Sequence, residues 1–237
     1  HEIPGSPIAY WASDAILGVF EDGEALSTVG RPRQGLKTGK NDLFLRMWWE
    51  VSVNQSDYNC SSIQESVSSG ARWFPYNKGG DFRKWYGNND YVVDWEADGR
   101  RIRGFTDARG KLLSRPQNTD TYFSPSITWS NISVGSIAFR YKPAGHIYDG
   151  VGPSIFSKES DLDYLQAALN SSSILSISSI LSPTLTFEVG QVASYPVIVD
   201  EDNRPRVASL VGELRHDSKE DWDSQETSWD FRRNPMV

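Results

Sequence analysis

Hydrophobic and polar positions are most closely interleaved between residues 71 and 95. Two turns rich in Gly and Asn, at 77–80 and 87–89, divide this stretch into short pieces. Both turns are predicted to be tight, because Gly and Asn tolerate positive φ. Eight aromatic residues and four cations occupy the stretch: Trp73, Phe74, Tyr76, Phe82, Trp85, Tyr86, Tyr91 and Trp95, with Arg72, Lys78, Arg83 and Lys84.

Two interpretations of this block are open. In one, the aromatic side chains of a hairpin fill a β core and the cations lie in water. In the other, the cations neutralise phosphates while the aromatic faces stack on bases.

Several other runs predict short strands. Bulky residues at 43–53 and 91–95 favour strands, and 121–141 is expected to form two strands around Gly135.

The clearest helical periodicity lies at 159–181, where Leu162, Leu165 and Leu169 recur at helical spacing. Ser160 is the candidate N-cap, and the polar residues 170–173 are expected to break the segment into two helices, the second ending at Pro183. A turn followed by a short helix, capped at Ser13 or Asp14, is predicted for 7–20. The acidic tail after 217 is predicted to form a short helix and then an extended end.

These elements predict a mixed α+β fold that is β-rich and has a helical pair near residues 159–181. Three parts are expected along the chain. Residues 1–30 form an acidic lead-in or linker from a preceding domain, and 31–155 form an aromatic and basic β-rich region. Residues 156–237 contain the helical pair, closing strands and acidic tail of the same domain.

The net charge of −7 argues at first against a nucleic-acid partner. The charge is unevenly distributed, however. Residues 31–115 hold 15 Lys and Arg against 10 Asp and Glu (+5), residues 1–30 hold 0 against 5 (−5), and residues 116–237 hold 9 against 16 (−7). A local basic block on an acidic body can still face phosphates.

The segment 35–44, Gly-Leu-Lys-Thr-Gly-Lys-Asn-Asp-Leu-Phe, is the second informative stretch. Its two glycines allow a tight loop with exposed backbone N–H groups, and Lys37, Thr38 and Lys40 add donors, so the loop could cradle a phosphate. It is not a Walker A loop, because Asn41 stands where Ser or Thr is needed. The alternative is a surface turn that leads into a strand.

A further basic segment is a candidate for a second phosphate-contacting surface or for a solvated face. Its cations are Arg100, Arg101, Arg103, Arg109, Lys111 and Arg115.

Motifs of catalysis and metal binding are missing from the sequence. The three His and one Cys are scattered, no Gly-x-Ser-x-Gly or Gly-x-Gly-x-x-Gly motif occurs, and no apolar run is long enough to span a membrane. A lone cysteine excludes an intrachain disulfide, which favours the reducing cytoplasm. The chain begins without Met, so we expect it to be part of a longer protein and to serve as a binding module without its own catalytic centre.

Seven blocks of the sequence together resemble one family. The most specific contains Trp-Phe-Pro-Tyr-Asn-Lys-Gly-Gly, while the Gly-x-x-Thr-Gly-x-Asn block is also similar to target-recognition regions of other restriction–modification enzymes. The blocks lie at 35–46, 73–88, 94–99, 139–141, 169–171, 181–190 and 218–231. They resemble the region that follows the catalytic domain in PglX-type adenine-specific DNA methyltransferases of the BREX phage-defence system.

The resemblance implies that methyl transfer and site selection belong to different parts of the parent protein. The parent protein would transfer a methyl group from S-adenosylmethionine to adenine N6, with the donor site and the base-flipping loop outside this chain. This chain would hold no cofactor and would select the DNA site. Its implied partners are double-stranded DNA, an upstream methyltransferase domain of the same parent chain and other BREX proteins.

The resemblance also implies a set of DNA-binding residues. Phosphate contacts would come from Lys37, Lys40, Lys78, Arg83 and Lys84. Candidates for reading bases are Asn77, Asn88, Asn89, Arg101 and Arg103, and a good bidentate pair contributes roughly 1–3 kcal/mol of discrimination. Thr38, Asn41 and Trp85 complete the set.

Two alternatives from other classes stay open. Trp and Tyr platforms also bind sugars, so the chain could be an aromatic-rich carbohydrate-binding module, although the basic block disfavours this. The second alternative is a protein-interaction module whose acidic surfaces make the contacts. DNA affinity that falls steeply with salt separates DNA binding from both.

Overall fold

A computed structural model describes residues 13–182 and 184–236. The predicted turn at residues 7–12 and the predicted helix end at Pro183 therefore lie outside the described residues. The predicted cap is confirmed at Ser13, whose hydroxyl accepts a hydrogen bond from the backbone N–H of Ile16 (3.4 Å).

Helices and short strands alternate along the described part of the chain. The strands are β1 (Glu24–Ala25), β2 (Arg31–Arg33), β3 (Leu45–Met47), β4 (Trp73–Asn77), β5 (Tyr91–Asp94), β6 (Ser126–Thr128), β7 (Arg140–Lys142), β8 (Ile147–Tyr148), β9 (Ser154–Phe156) and β10 (Pro196–Val197). The α-helices are α1 (Asp14–Asp22), α2 (Leu26–Val29), α3 (Asn41–Phe44), α4 (Ile63–Ser68), α5 (Glu96–Arg103), α6 (Glu159–Leu169), α7 (Ser172–Leu181), α8 (Val189–Ala193) and α9 (Arg204–Asp223). The mixed α+β class is confirmed.

The strands form two four-stranded sheets and one two-stranded pair. The first sheet has the order β2-β9-β6-β7 and is antiparallel throughout. The second has the order β3-β5-β4-β8, and only its β4–β8 pair is parallel. β1 pairs with β10. The strands of the two larger sheets all lie between residues 31 and 156, in the region predicted to be β-rich.

Each large sheet has its own hydrophobic core. The first core contains the buried faces of α6 and α7, including Leu165 and Ile177, and the strand residue Ile127. The second contains Phe74 and Phe123, whose rings meet edge to face with centroids 5.5 Å apart. Burial of large apolar side chains in these two cores supplies the main favourable free energy of folding.

The aromatic block at 71–95 folds as β4, a long turn and β5. The predicted strand at 91–95 is confirmed as β5, which pairs with both β3 and β4. Five of the eight aromatic side chains are buried, so most of this block packs inward: Trp73, Phe74, Tyr76, Tyr86 and Trp95. These five rings therefore form no exposed platform.

The predicted strand at 43–53 is wrong in its extent. Residues 41–44 form α3, the strand covers only Leu45–Met47, and Trp48–Glu50 is a 3₁₀ helix. The strand ends there because Met47 is paired with Tyr91, the first residue of β5, and the neighbouring strand extends no further.

The predicted helical pair at 159–181 is confirmed. The two helices are separated at Asn170 and Ser171, and the Ser171 hydroxyl caps α7 by accepting from the N–H of Ile174 (3.3 Å). The prediction of Ser160 as an N-cap is wrong. α6 begins earlier, at Glu159 with Lys158 as its N-cap residue, so Ser160 lies inside the first turn.

The tail after 217 is helical and then non-helical, as predicted, but the helix is not short, because α9 has 20 residues and begins at Arg204. It packs along α6, where Arg215 forms an ion pair with Asp163 (2.5 Å). The helix carries few large apolar residues, so its sequence lacks a strong amphipathic stripe. No helix in the described part of the chain is long and apolar enough to cross a bilayer.

Candidate nucleic-acid interface

Two turns that are distant in sequence meet at one polar cleft of about 570 Å³. One is the 35–41 loop and the other is the turn that follows β4. The cleft is lined by Gln34, Lys37, Thr38, Gly39, Lys40, Asn41, Lys78, Asn131, Asp149, Gly150, Val151 and Glu188. Five of the residues predicted to bind DNA therefore line the same surface.

The 35–41 loop is fixed by its glycines. A Cβ atom at Gly35 would lie 1.8 Å from the carbonyl oxygen of Tyr148, so only glycine permits this close approach. Gly39 has φ +77°, and a Cβ there would lie 2.6 Å from the carbonyl oxygen of Leu113. Thr38 is buried and its hydroxyl donates to Oδ1 of Asn41 (2.6 Å). The loop therefore packs closely against its neighbours, and its Lys37 and Lys40 are exposed.

Asp149 and a buried amide shape the second turn. Lys78 Nζ lies 2.8 Å from Oδ2 of Asp149, whose Oδ1 accepts from the N–H of Val151 (3.0 Å). Asn77 is buried, and its amide donates to the carbonyl oxygen of Gly152 (2.9 Å) and to the hydroxyl of Thr128. Asn77 therefore holds the turn in place and does not reach the cleft surface.

The cleft contains both signs of charge. Lys37 and Lys40 are exposed, and neither has an ion-pair partner among the residues that the structure describes. Asp149 neutralises Lys78, and the exposed Glu188 adds a carboxylate. The cations available for an external anion are therefore mainly Lys37 and Lys40.

A basic hairpin adjoins the 35–41 loop. Lys37 and Arg115 exchange two backbone hydrogen bonds (3.0 and 2.7 Å), and Thr106 pairs with Leu112 in the hairpin before Arg115. The carboxylate of Asp107 accepts from the backbone N–H groups of Arg109 and Lys111 and so forms the hairpin turn. The exposed side chains of Arg109, Lys111 and Arg115 enlarge the basic surface next to Lys37.

Two buried cations hold the long turn between β4 and β5. Arg140 and Lys142 are each 1% exposed and project from the same face of β7. Lys142 Nζ donates to the carbonyl oxygens of Gly87 (2.8 Å) and Asn88 (3.0 Å) and to Asn89 Oδ1. Arg140 donates to the Ser130 hydroxyl (3.1 Å) and, at 3.3 Å, to the carbonyl oxygen of Arg83.

Burial perturbs both of these cations. Desolvation lowers the pKa of Arg140 to about 10, with a further contribution from Arg83. Desolvation also lowers the pKa of Lys142 well below its usual value, and the charge of Arg140 adds to the effect. The two side chains donate hydrogen bonds to carbonyl, amide and hydroxyl oxygens, most of them in the long turn. These bonds hold the turn against β7.

Four more predicted residues lie in this turn. Asn88 is buried and donates to the carbonyl oxygens of Gly79 (3.2 Å) and Asp81 (2.9 Å), which ties the turn to the residue after Lys78. Lys84 Nζ donates to the carbonyl oxygen of Asn170 (3.0 Å).

Arg83 forms an ion pair with Asp221 (2.8 Å) and lies over the ring of Trp222, 5.1 Å from its centroid. The backbone of Trp85, at φ 69°, bonds to Phe139 and Tyr141. These polar groups are thus engaged within the chain.

Arg101 and Arg103 lie on α5, apart from the residues that line the cleft. Arg101 forms an ion pair with the buried carboxylate of Asp94, which also binds Arg72 (2.9 Å). Arg103 pairs with Asp98 (3.1 Å). Both guanidinium groups are committed to intramolecular ion pairs, although both residues are partly exposed.

Comparison with known proteins finds two longer proteins that are similar to this chain over part of their length. No protein-family model matches it. It is 40% identical, over 239 residues, to the adenine-specific methyltransferase PglX of Lacticaseibacillus casei, and 36% identical, over 241 residues, to the adenine-specific methyltransferase BrxX of Escherichia coli. The whole chain is similar to part of the PglX and BrxX methyltransferases. The resemblance stated from the sequence blocks is confirmed.

The chain spans about a fifth of the length of these curated relatives: 20% of one and 18% of the other. Both alignments include all of this chain, so the cleft, the basic hairpin and the long turn all fall within the aligned region.

Besides Gln34, which adjoins the 35–41 loop, three polar residues of the cleft were not predicted from the sequence: Asn131, Asp149 and Glu188. Asn131 is buried and donates to Oε1 of Glu188 (3.3 Å), and Asp149 binds Lys78. Each comes from a different part of the chain, so no local spacing could have found them. Only the packing of the first sheet beside the second brings them to the two lysine-bearing turns.

Other sites in the described part of the chain are less suited to bind a ligand. No group of three or more His, Cys, Asp and Glu residues there could hold a metal ion. A larger cavity of about 1000 Å³ lies at the C-terminal end, but its carboxylates outnumber its cations, which is unfavourable for phosphate. His146 is buried, and desolvation lowers its pKa to about 3.

Proposed function

We propose that this chain is the DNA target-recognition region of a site-specific adenine-N6 DNA methyltransferase that acts in phage defence. The observation that carries the proposal is the convergence of the 35–41 loop and the Lys78 turn on one cleft. The similarity of this whole sequence to about a fifth of two adenine-specific methyltransferases supports it. Methyl transfer from S-adenosylmethionine belongs to a domain elsewhere in the parent chain, and the cytoplasm is the proposed location.

Lys37 and Lys40 are the principal phosphate contacts in this proposal. They are exposed, extend from a loop whose glycines allow close backbone packing, and lie beside the basic hairpin. Phosphate contacts set the register of a protein on DNA and supply most of its electrostatic affinity. Thr38 and Asn41, which bond to each other, keep the two lysines in place.

Lys78 has a different role from the two exposed lysines. Its ion pair with Asp149 holds it against the cleft wall. A phosphate that approaches Lys78 must therefore share this cation with a carboxylate. We assign Lys78 to orientation of the duplex, with a smaller contribution to affinity than Lys37 or Lys40.

The other predicted residues shape the recognition surface. Asn77, Asn88, Lys84 and Trp85 engage other parts of the chain, and Arg83 engages α9. Arg101 and Arg103 secure α5 through their ion pairs. We propose that these residues position the loops that meet DNA. The partly exposed guanidinium groups of Arg83, Arg101 and Arg103 add to the local positive potential.

The net charge of −7 fits this arrangement when the charge is resolved along the chain. The acidic surface repels phosphates everywhere except near the basic block, so DNA is directed to one face. The parent protein's catalytic domain would close the opposite side of the duplex and flip the adenine.

Duplex-DNA binding measured by fluorescence anisotropy at two salt concentrations tests the proposal. We expect affinity that falls steeply with salt, and we expect Lys37→Gln with Lys40→Gln to reduce the slope of log affinity against log salt by about 0.9 for each phosphate that these lysines neutralise. The charge-matched control is Arg206→Gln with Arg232→Gln, two exposed cations outside the cleft. This control should leave the slope unchanged.

Equal slopes for the cleft variant and the control would contradict the assignment of the cleft. If the unaltered chain has no affinity for duplex DNA even at low salt, the assay is repeated with the longer parent protein. Absence of binding there as well would overturn the proposed function.

A further inference from the structure

A short ribbon beside the cleft consists of residues 131–134 and 184–188, in which residues 131–133 pair with 185–187. Phe187 donates its N–H to the carbonyl oxygen of Asn131 (2.7 Å), and Ser133 donates to the carbonyl oxygen of Leu185 (3.0 Å). Ile132 and Thr186 form the antiparallel pair between these two bonds. We call these residues the apolar ribbon.

The apolar ribbon exposes three large aliphatic side chains. Ile132 is 60% exposed, Leu185 is 56% exposed, and Val134, just beyond the paired residues, is 91% exposed. Neighbouring residues on a paired segment point to opposite faces. Leu185 is opposite Ser133, so Ile132 and Leu185 lie on opposite faces of the ribbon.

The base of the ribbon forms one wall of the cleft. Asn131 and Glu188 belong to both, and they are joined by a hydrogen bond of 3.3 Å. Ile132 follows Asn131 directly in the chain. The exposed aliphatic side chains and the cleft lysines are therefore parts of one continuous surface.

We infer that the apolar ribbon enters the major groove of the DNA whose phosphates the cleft lysines contact. This inference rests on the proposed function. The major groove is about 12 Å wide, admits a two-stranded β-ribbon and displays the apolar C5-methyl group of thymine. Ile132, Val134 and Leu185 pack against base edges, while the adjoining Lys37 and Lys40 hold the flanking backbone.

The apolar ribbon exposes aliphatic side chains on both faces, which favours a groove of DNA as its partner over a flat protein surface. A flat partner covers one face of a ribbon and leaves the other in water, whereas the two walls of a groove cover both faces. The exposed Leu210 and Leu214 of α9 offer a contrast, because residues four apart lie on one side of a helix.

The test uses Ile132→Ser, Val134→Ser and Leu185→Ser together, in the same anisotropy assay. We expect binding about tenfold weaker with an unchanged salt slope, because the variant removes apolar packing against the bases and keeps every cation. The matched control, Leu210→Ser with Leu214→Ser, should bind like the unaltered chain. All five side chains are substantially exposed, so thermal unfolding should verify that each variant is folded.

Groove occupancy is tested by competition. Methyl green, which binds the major groove, should displace the unaltered chain, and netropsin, which binds the minor groove, should not. Binding of the ribbon variant that equals that of the unaltered chain, or displacement by netropsin alone, would overturn the inference while leaving the proposed function intact. A failure of the unaltered chain and its longer parent to bind DNA would overturn the proposed function first.

Discussion

At the scale of the residue, Lys142 is a buried cation beneath the long turn between β4 and β5. Its ammonium group is buried, forms no ion pair with any residue that the structure describes, and donates to oxygens of Gly87, Asn88 and Asn89. The same turn reaches Gly79 through the Asn88 amide, next to Lys78. Removing the charge relieves a desolvation cost, but it leaves several buried acceptors without donors.

We expect the unpaired acceptors to outweigh the relieved desolvation in Lys142→Met. The variant should lose about 2 kcal/mol of unfolding free energy, because buried acceptors without donors cost about 1–3 kcal/mol each. Urea unfolding measures the loss, with Lys111→Met as the control because Lys111 is exposed. Equal stability of the variant and the unaltered chain would mean that dehydration of the ammonium group cancels its hydrogen bonds.

At the scale of the element, the helical pair shows where local signals are reliable. The polar break between the helices was predicted, and Asn170 also serves the first sheet. Its side-chain amide exchanges hydrogen bonds with the N–H (3.1 Å) and carbonyl oxygen (2.9 Å) of Phe139. The break is therefore both a helix end and an attachment point for the residue that precedes β7.

Two serines of this element provide a matched comparison. We expect Ser171→Ala to lower the unfolding free energy by about 1 kcal/mol, because it removes the N-cap acceptor of α7. Ser160→Ala should have a much smaller effect, because Ser160 is exposed inside the first turn of α6 and bonds only to the Asp161 carboxylate (3.2 Å). Chemical denaturation of both variants decides the matter, and equal losses would contradict the capping assignment.

At the scale of the whole molecule, His146 lies where distant segments meet. Its ring faces that of Trp229 from the C-terminal segment, with centroids 6.1 Å apart, and its Nδ1 lies 3.2 Å from the carbonyl oxygen of Pro143. Desolvation first, and then the charge of Lys142, lower the pKa of this imidazole from 6.5 to about 3. Folding therefore requires the neutral form.

This depressed pKa predicts a loss of stability in mild acid. The unfolded chain binds a proton at His146 below about pH 6.5 and the folded chain does not until about pH 3, so stability rises with pH across this window. We expect His146 to account for a loss of about 2 kcal/mol between pH 8 and pH 5. Urea unfolding at several pH values measures it.

The variant His146→Gln isolates this contribution, because the difference in pH dependence between it and the unaltered chain belongs to one side chain. His216→Gln is the control, since His216 is exposed. Parallel stability curves for the unaltered chain and His146→Gln would contradict a buried neutral imidazole.

The sequence by itself determined the local features of this protein. Helical spacing and a polar break predicted the pair at 159–181, and bulky residues after the 87–89 turn predicted β5, because such signals depend on neighbours within a few positions. The sequence blocks also carried the resemblance to PglX-type proteins. Local signals failed at Leu45–Met47, whose end depends on its partner strand, and at α9, whose long body is held by contacts with α6.

Only the tertiary structure decided which of the predicted residues can meet a ligand. Lys37 and Lys40 remain exposed beside a cleft, whereas Asn77 and Asn88, equally promising in sequence, are turned inward to bond backbone carbonyls. The physical reason is that a buried turn must satisfy its own polar groups, and the nearest amides are used for that purpose. Burial and hydrogen-bond partners depend on strands distant in sequence, which no local pattern records.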